Sequence, residues 1–173
     1  MMSEQQYPVR NALLVPFTLV VVLLLILLLM AVFGKYSFAE QIFYFAAFVP
    51  ALYVFLETAS RKVITDERGM TIRKFLRRKA FSWEDITHVG CVIMGKKVYL
   101  LITTLKGFFI VSNAVDRLSV LIQELLDHLG EEKMEEEARN LIANPISKMS
   151  DIFGLWIAAL AMSGIIIYKV FIL

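Results

Sequence analysis

The sequence predicts an α+β membrane protein: three transmembrane helices carrying one small β-rich domain, itself capped by an amphipathic helix. Three observations support this. The 173 residues are 58% hydrophobic, with a mean hydropathy of +0.68, above the usual level for soluble domains. The apolar excess sits in two blocks near the N-terminus and one at the C-terminus. The stretch between them has ordinary soluble composition and is long enough for one small domain with its own core. The expected organisation is a tail and helical hairpin over 1–60, with spans at about 12–33 and 41–56. A cytoplasmic domain at 61–130 follows, then an acidic helical connector at 131–150 and a third transmembrane helix at 151–173.

Residues 12–33 are uncharged and dominated by Leu and Val. Their length matches the ~20 residues a helix needs to cross a hydrocarbon core of ~30 Å. Pro16 falls in the first turns, where it is tolerated. A signal peptide would have a shorter apolar core ending in small residues. Met30-Ala31-Val32-Phe33 offers no such site, so the segment is expected to remain as an anchor. The second block is short and contains Pro50, but it follows the first after a short loop, with Tyr36 and Tyr44 at interfacial positions. The third is interrupted only by Lys169, near enough to its end to snorkel to the headgroups. Gly154, Ala158 and Ala161 share one side of it and form a candidate helix-packing face. Lys35 alone lies in the loop between the first two spans, whereas Arg10, Arg61, Lys62 and Lys148 lie on the other side. This bias predicts a multi-pass inner-membrane protein with the N-terminus and domain in the cytoplasm and the C-terminus outside.

Within the domain, short runs rich in β-formers predict strands at Arg61–Thr65, Met70–Phe75, Lys79–Phe81, Ile86–Met94, Val98–Thr104 and Phe108–Ser112. The turns fall at 66–69, 82–85, 95–97 and 105–107, with Gly69 suited to a positive φ. Asn113 reads as the N-cap of a helix with Asp116 in its first turn. Val115, Leu118, Leu121, Ile122, Leu125 and Leu129 recur on one face, and Gly130 follows as a terminator. Such a helix would plug an open end of the β structure. Trp83 is expected to lie beneath it, near Leu121 or Leu125. The next stretch is acidic at Glu131, Glu132, Glu135, Glu136 and Glu137, and reads as a solvated helix ending at Asn144-Pro145.

One resemblance spans residues 61–130. It comprises the strand–turn–strand with Asp66 and Gly69, and Phe81-Ser82-Trp83-Glu84-Asp85-Ile86 with Val89. It continues with the hairpin containing Thr103, Thr104 and Gly107, and the helix around Leu118–Leu129. Together these features resemble the bacterial pleckstrin-homology-like family of membrane proteins. The resemblance implies a curved β-barrel or sandwich capped by the terminal helix.

No chemistry of an enzyme is visible. Cys91 is the only cysteine, and His88 and His128 have no ligand-like spacing with it, so neither disulfide nor metal is expected. There is no glycine-rich phosphate loop, no nucleophile–base arrangement and no HExxH. No catalytic residue, cofactor or small-molecule substrate is therefore expected. Charge carries more information. Residues 61–115 hold eleven Lys or Arg against four Asp or Glu, densest at Arg73, Lys74, Arg77, Arg78 and Lys79. These five are the candidate lipid-surface residues, with membrane lipids as the partner; a solvated topology signal is the rival reading. Nucleic acid is not expected, because the cluster lacks interleaved aromatics for base stacking. The hairpin from Cys91 to Thr104 is apolar on both strand faces. Its outer face is expected to be covered by the terminal helix, the spans, a second copy or a protein partner. The predicted function is a membrane-anchored interaction module that binds anionic lipid headgroups or a protein partner. The alternative is an accessory or assembly subunit of a larger membrane complex, docking through its transmembrane helices.

Overall fold

The computed structural model describes residues 4–34, 36–146 and 150–171. In chain order the elements are β1 (Gln5–Pro8), α1 (Asn11–Phe33), α2 (Phe38–Ala59), β2 (Lys62–Asp66), β3 (Gly69–Lys74) and β4 (Arg77–Ser82). They continue with β5 (Ile86–Met94), β6 (Lys97–Thr104), β7 (Gly107–Ser112), α3 (Leu118–Leu129), a 3₁₀ turn (Glu131–Lys133), α4 (Glu136–Ala143) and α5 (Ser150–Phe171). They form two compact units, one from 4–10 with 60–146 and one from the described residues of 11–59 with 150–171.

In the helical unit, α1, α2 and α5 are each long and apolar enough to cross a membrane. α2 extends past the expected 41–56 at both ends. The uncharged run stops at Glu40 and Glu57, but the backbone stays helical through both. Val20 and Leu24 of α1 pack with Ala159 of α5, flanked by Leu155, Ala158 and Met162 and by Ala47, Phe48 and Ala51 of α2. Of the expected packing face, only Ala158 takes part. Gly154 and Ala161 are exposed, and a Cβ added at Gly154 would meet nothing within 4 Å. Lys169 does not simply snorkel. Its Nζ lies 3.1 Å from Glu40 Oε1 and 3.9 Å from the Tyr36 ring centroid, and its side chain is only 9% exposed. Two of the charges used for orientation, Lys35 and Lys148, lie outside the described residues.

The other unit holds two antiparallel sheets, ordered β1-β2-β3-β4 and β5-β6-β7. Their inward residues share one core. Tyr7, Val63, Met70, Ile72 and Phe81 come from the first sheet, Ile86, Val89, Val98, Leu100, Ile102 and Val111 from the second, and Leu118, Leu121, Ile122 and Leu125 from α3. The barrel alternative is not realised: the sheets remain separate ladders. Between β4 and β5 the chain makes a closed polar turn. Asp85 Oδ2 accepts the Ser82 N–H at 3.0 Å and the Asp85 N–H donates to Ser82 Oγ at 3.3 Å, so these groups cap one another instead of continuing a strand. The Ser82 bonds hold the Asp85 carboxyl below the usual carboxylate range.

β1 is unexpected, because Gln5-Gln6-Tyr7-Pro8 is too short and polar to signal a strand. It exists through pairing, with Tyr7 opposite Val63. Tyr7 is fully buried, and its hydroxyl donates to Glu124 Oε2 at 2.7 Å; Thr65 Oγ1 donates to the same oxygen at 2.8 Å. Burial first, then the Glu124 hydrogen bond, pushes the Tyr7 hydroxyl well above its ordinary pKa.

The end of β1 also captures residues 114–116. Val9 bridges Val115, the Arg10 N–H donates to Ala114 O at 3.0 Å, and the Asp116 N–H donates to Pro8 O at 2.7 Å. α3 consequently starts at Leu118, after Arg117 in the left-handed region at φ 50°, and Asn113 is not its N-cap. The Asn113 side chain is instead buried and donates to Lys96 O and Ile146 O.

Three further expectations change. Gly69 is needed for space and not for a positive φ, since an added Cβ would collide with the Phe81 carbonyl oxygen across the β3–β4 ladder. Gly69→Ala should therefore cost about 1–3 kcal/mol through forced backbone shifts, measured as a lower thermal midpoint of the full chain in detergent. Trp83 is only half-buried at the edge of the core that includes Leu121 and Leu125, and is not enclosed beneath α3. It stacks on His128 with centroids 4.3 Å apart, and its Nε1–H donates to Asp66 O at 3.0 Å. The indole N–H is the reason, because Trp seeks a site where it can find an acceptor. The acidic segment, expected as a solvated connector, packs into the core through Met134, Ala138 and Leu141.

Candidate functional site

The β3–β4 hairpin carries the basic cluster, and all five of its side chains are exposed. Pleating divides them, because neighbours along a strand point to opposite faces. Arg73 and Arg78 are register partners on the outer face of the first sheet, and Lys62 of β2 stands opposite Arg73. Lys74 and Arg77 pair with one another and share the opposite face with Lys79 and the buried Ile72. Lys79 Nζ lies 5.4 Å from the centroid of the Phe109 ring. At the hairpin end the two faces meet: Arg73, Lys74, Arg77 and Arg78 line one groove with Lys62, which lies outside the linear cluster, while Lys79 is set apart beside Phe109; strand pairing is the signal that could have found Lys62.

The outer face around this row is concave. A groove of about 630 Å³ is lined by Lys62, Arg73, Lys74, Arg77 and Arg78, with Glu4, Gln6, Ile64, Phe75 and Leu76. Lys62 Nζ donates to Gln6 Oε1 at 3.1 Å, and the Gln6 amide donates to Glu4 Oε1 at 3.0 Å. Five cations against one carboxylate give the groove a local surplus of positive charge. The register places Pro8, Lys62, Arg73 and Arg78 in one row across four strands. Two residues of chain separate Pro8 from α1, and two separate Lys62 from α2.

A second surface is apolar. On the side of the second sheet facing away from the core, Val92 is 45% exposed, Ile110 50% and Phe108 69%, with half-buried Tyr99 and Leu101 between them. α3 packs on the inner side, so it does not cover this face as one expectation had it. Solvent-exposed sheets normally alternate polar residues on the outer face.

A third cluster closes the free edge of β5. The Glu135 N–H donates to Val89 O at 3.0 Å, Glu135 Oε2 accepts the Cys91 N–H at 3.0 Å, and Oε1 lies 3.0 Å from His88 Nε2. The His88 hydrogen bond, and after it the Cys91 amide, holds the Glu135 carboxyl below its usual range. A depressed carboxylate contributes stability above its unfolded pKa of about 4.3, and that stability is lost as pH falls through the lower folded value. Glu135→Gln should therefore melt lower than the parent at pH 7, with the gap narrowing as the pH drops below about 4 in parallel thermal melts. Burial, reinforced by Glu135 and Glu137, pushes the Cys91 thiol up, away from the thiolate form a nucleophile needs. No group of three His, Cys, Asp or Glu suited to a metal ion occurs among the described residues.

Compared with protein-family models, with curated proteins and with solved structures, the chain matches none of them.

Proposed function

We propose that this chain is a membrane-anchored, pleckstrin-homology-like interaction module whose basic sheet end engages anionic lipid headgroups at the cytoplasmic leaflet. The observation that carries the reading is the row Pro8–Lys62–Arg73–Arg78. Pro8 stands two residues before α1 and Lys62 two residues after α2, and Arg73 and Arg78 continue the same row on β3 and β4. Helices that cross a bilayer end at the headgroup layer, so this end of the sheet is tethered within reach of it. Each basic side chain near an anionic leaflet contributes about 1 kcal/mol, provided it lies within the screening length of ~8 Å at physiological salt. The two-sheet unit with α3 against it fits the resemblance to that family. Arg10, Arg61 and Lys62 favour the cytoplasmic side for the sheet unit.

The test uses the full chain in nanodiscs of zwitterionic lipid, with and without added anionic lipid. Anionic lipid should raise the thermal midpoint of the parent at low salt and less so at high salt, because a ligand that binds the native state stabilises it. A variant with Arg73, Lys74, Arg77, Arg78 and Lys79 all changed to Gln should lose most of that increment. An equal increment in both proteins would reduce the cluster to a solvated topology signal.

The apolar face of the second sheet favours a further role as a docking surface for a protein partner or another copy of the chain. Exposed apolar patches of this kind mark interaction sites. The open face of α5 at Gly154 and Ala161 supports the alternative, an assembly subunit of a membrane complex that docks through its helices. Purification in mild detergent distinguishes these readings. A stoichiometric protein that stays bound after Phe108→Ser but is lost after Gly154→Leu would favour the helices.

A further inference from the structure

We infer that Leu76, at the tip of the β3–β4 hairpin, inserts into the boundary between lipid headgroups and acyl chains, and so holds the sheet unit down on the bilayer. This rests on the membrane reading above and adds an apolar anchor to its electrostatic contact.

The residue is anomalous where it stands. Two-residue hairpin turns are usually occupied by Gly, Asn or Asp, and although neither residue of this turn has a positive φ, the turn geometry does not call for an apolar side chain. Here the turn between Lys74 and Arg77 is Phe75-Leu76, and Leu76 is 84% exposed. Neither hairpin geometry nor the core accounts for a leucine there. It is flanked by Arg73, Lys74, Arg77 and Arg78, all exposed. An apolar tip ringed by cations is the composition of interfacial membrane anchors, where the apolar group enters the boundary and the basic residues meet anionic headgroups. A soluble protein partner would be matched by either feature alone; the combination fits a surface that is anionic outside and apolar just beneath.

Position agrees with composition. β2 begins at Lys62, opposite Arg73, so the hairpin extends past β2 at the end where the chain enters the sheet from α2. At ~3.4 Å per residue, Lys74, Phe75 and Leu76 carry the tip roughly 7–10 Å past that row. If the row's cations meet headgroups, the tip is deeper than they are.

The experiment places a nitroxide at Lys74→Cys in a Cys91→Ala background of the full chain, with a control label at Glu84→Cys. Nanodiscs of zwitterionic lipid alone, and with anionic lipid, are compared by collision of the label with a water-soluble nickel complex and with dissolved oxygen. The expected result is nickel collision several-fold lower at 74 than at 84 in anionic nanodiscs, persisting at high salt. Adding Leu76→Ser should raise collision at 74 to the level at 84. Identical accessibility at 74 with and without the Leu76→Ser change would overturn the insertion. If that occurs while the anionic thermal increment still depends on the five cations, the headgroup contact stands without the anchor. Insertion that is equally deep in zwitterionic nanodiscs keeps the anchor and removes the anionic preference instead.

Discussion

Tyr7→Ala is expected to cost the sheet unit about 3–5 kcal/mol, the range for deleting a buried aromatic side chain. Tyr7 is fully buried, packs in the shared core and ties β1 to α3 through Glu124. Domains of this size have only about 5–15 kcal/mol of stability, so such a loss should be visible as a broad, lowered melt and as faster hydrogen exchange in β2 and β3. Tyr7→Phe keeps the ring and removes the donor, leaving Glu124 with Thr65, and should cost about 1–3 kcal/mol. A Tyr7→Ala melt close to the parent's would mean that β1 does not belong to the core. The same packing predicts that a fragment of 60–130 fails to fold cooperatively. It lacks β1 and also Met134, Ala138 and Leu141.

The second large effect is expected at Lys169 and Glu40. Lys169 is nearly enclosed, between Glu40 and the rings of Tyr36 and Tyr44, while Glu40 is 42% exposed. Loss of one partner from a buried pair costs about 3–5 kcal/mol and exposed pairs contribute ~0–1 kcal/mol, so Lys169→Glu should cost about 1–3 kcal/mol. The exchange of both residues, Glu40→Lys with Lys169→Glu, should recover at least half of the lost thermal midpoint. Recovery would place the last turns of α5 beside the first turn of α2, as an up–down–up arrangement of the three helices requires. A double variant no better than the single one would show that the pair does not form in the folded protein.

Much of this organisation is readable from residue order. The three apolar helices follow from uninterrupted hydropathy, and the strands β2 to β7 from short β-rich runs punctuated by Gly69, Gly95 and Gly107. What escapes such a reading depends on pairing between distant residues. Gln5–Pro8 becomes a strand only because Val63 and Ile64 present a free edge to it, after a helical hairpin has intervened in the chain. Beyond that strand, the Val9 bridge to Val115 and the Asn113 bond to Lys96 O hold these two residues outside the helix their sequence suggests. Glu135 reads as one acidic residue among several until it meets the edge of β5. The candidate site is half legible. Lysine and arginine counts locate the hairpin, but only the structure sets Lys79 apart beside Phe109 and adds Lys62 to the groove. In the sequence Leu76 is one apolar residue in a basic run; its meaning comes from standing at an exposed turn.

Lipid photocrosslinking from within the folded chain tests the central claim most directly. A photoreactive side chain would replace Arg78 in one protein and Glu84 in another, both full length and in their native membrane. Arg78 stands in the basic row, whereas Glu84 lies in the turn after Ser82, which pairs with Gly69 at the opposite end of the hairpin. Illumination should yield anionic-lipid adducts at position 78 and few or none at 84. Adducts at 84 in preference to 78, or protein adducts alone at 78, would contradict a sheet unit lying basic end first on the bilayer.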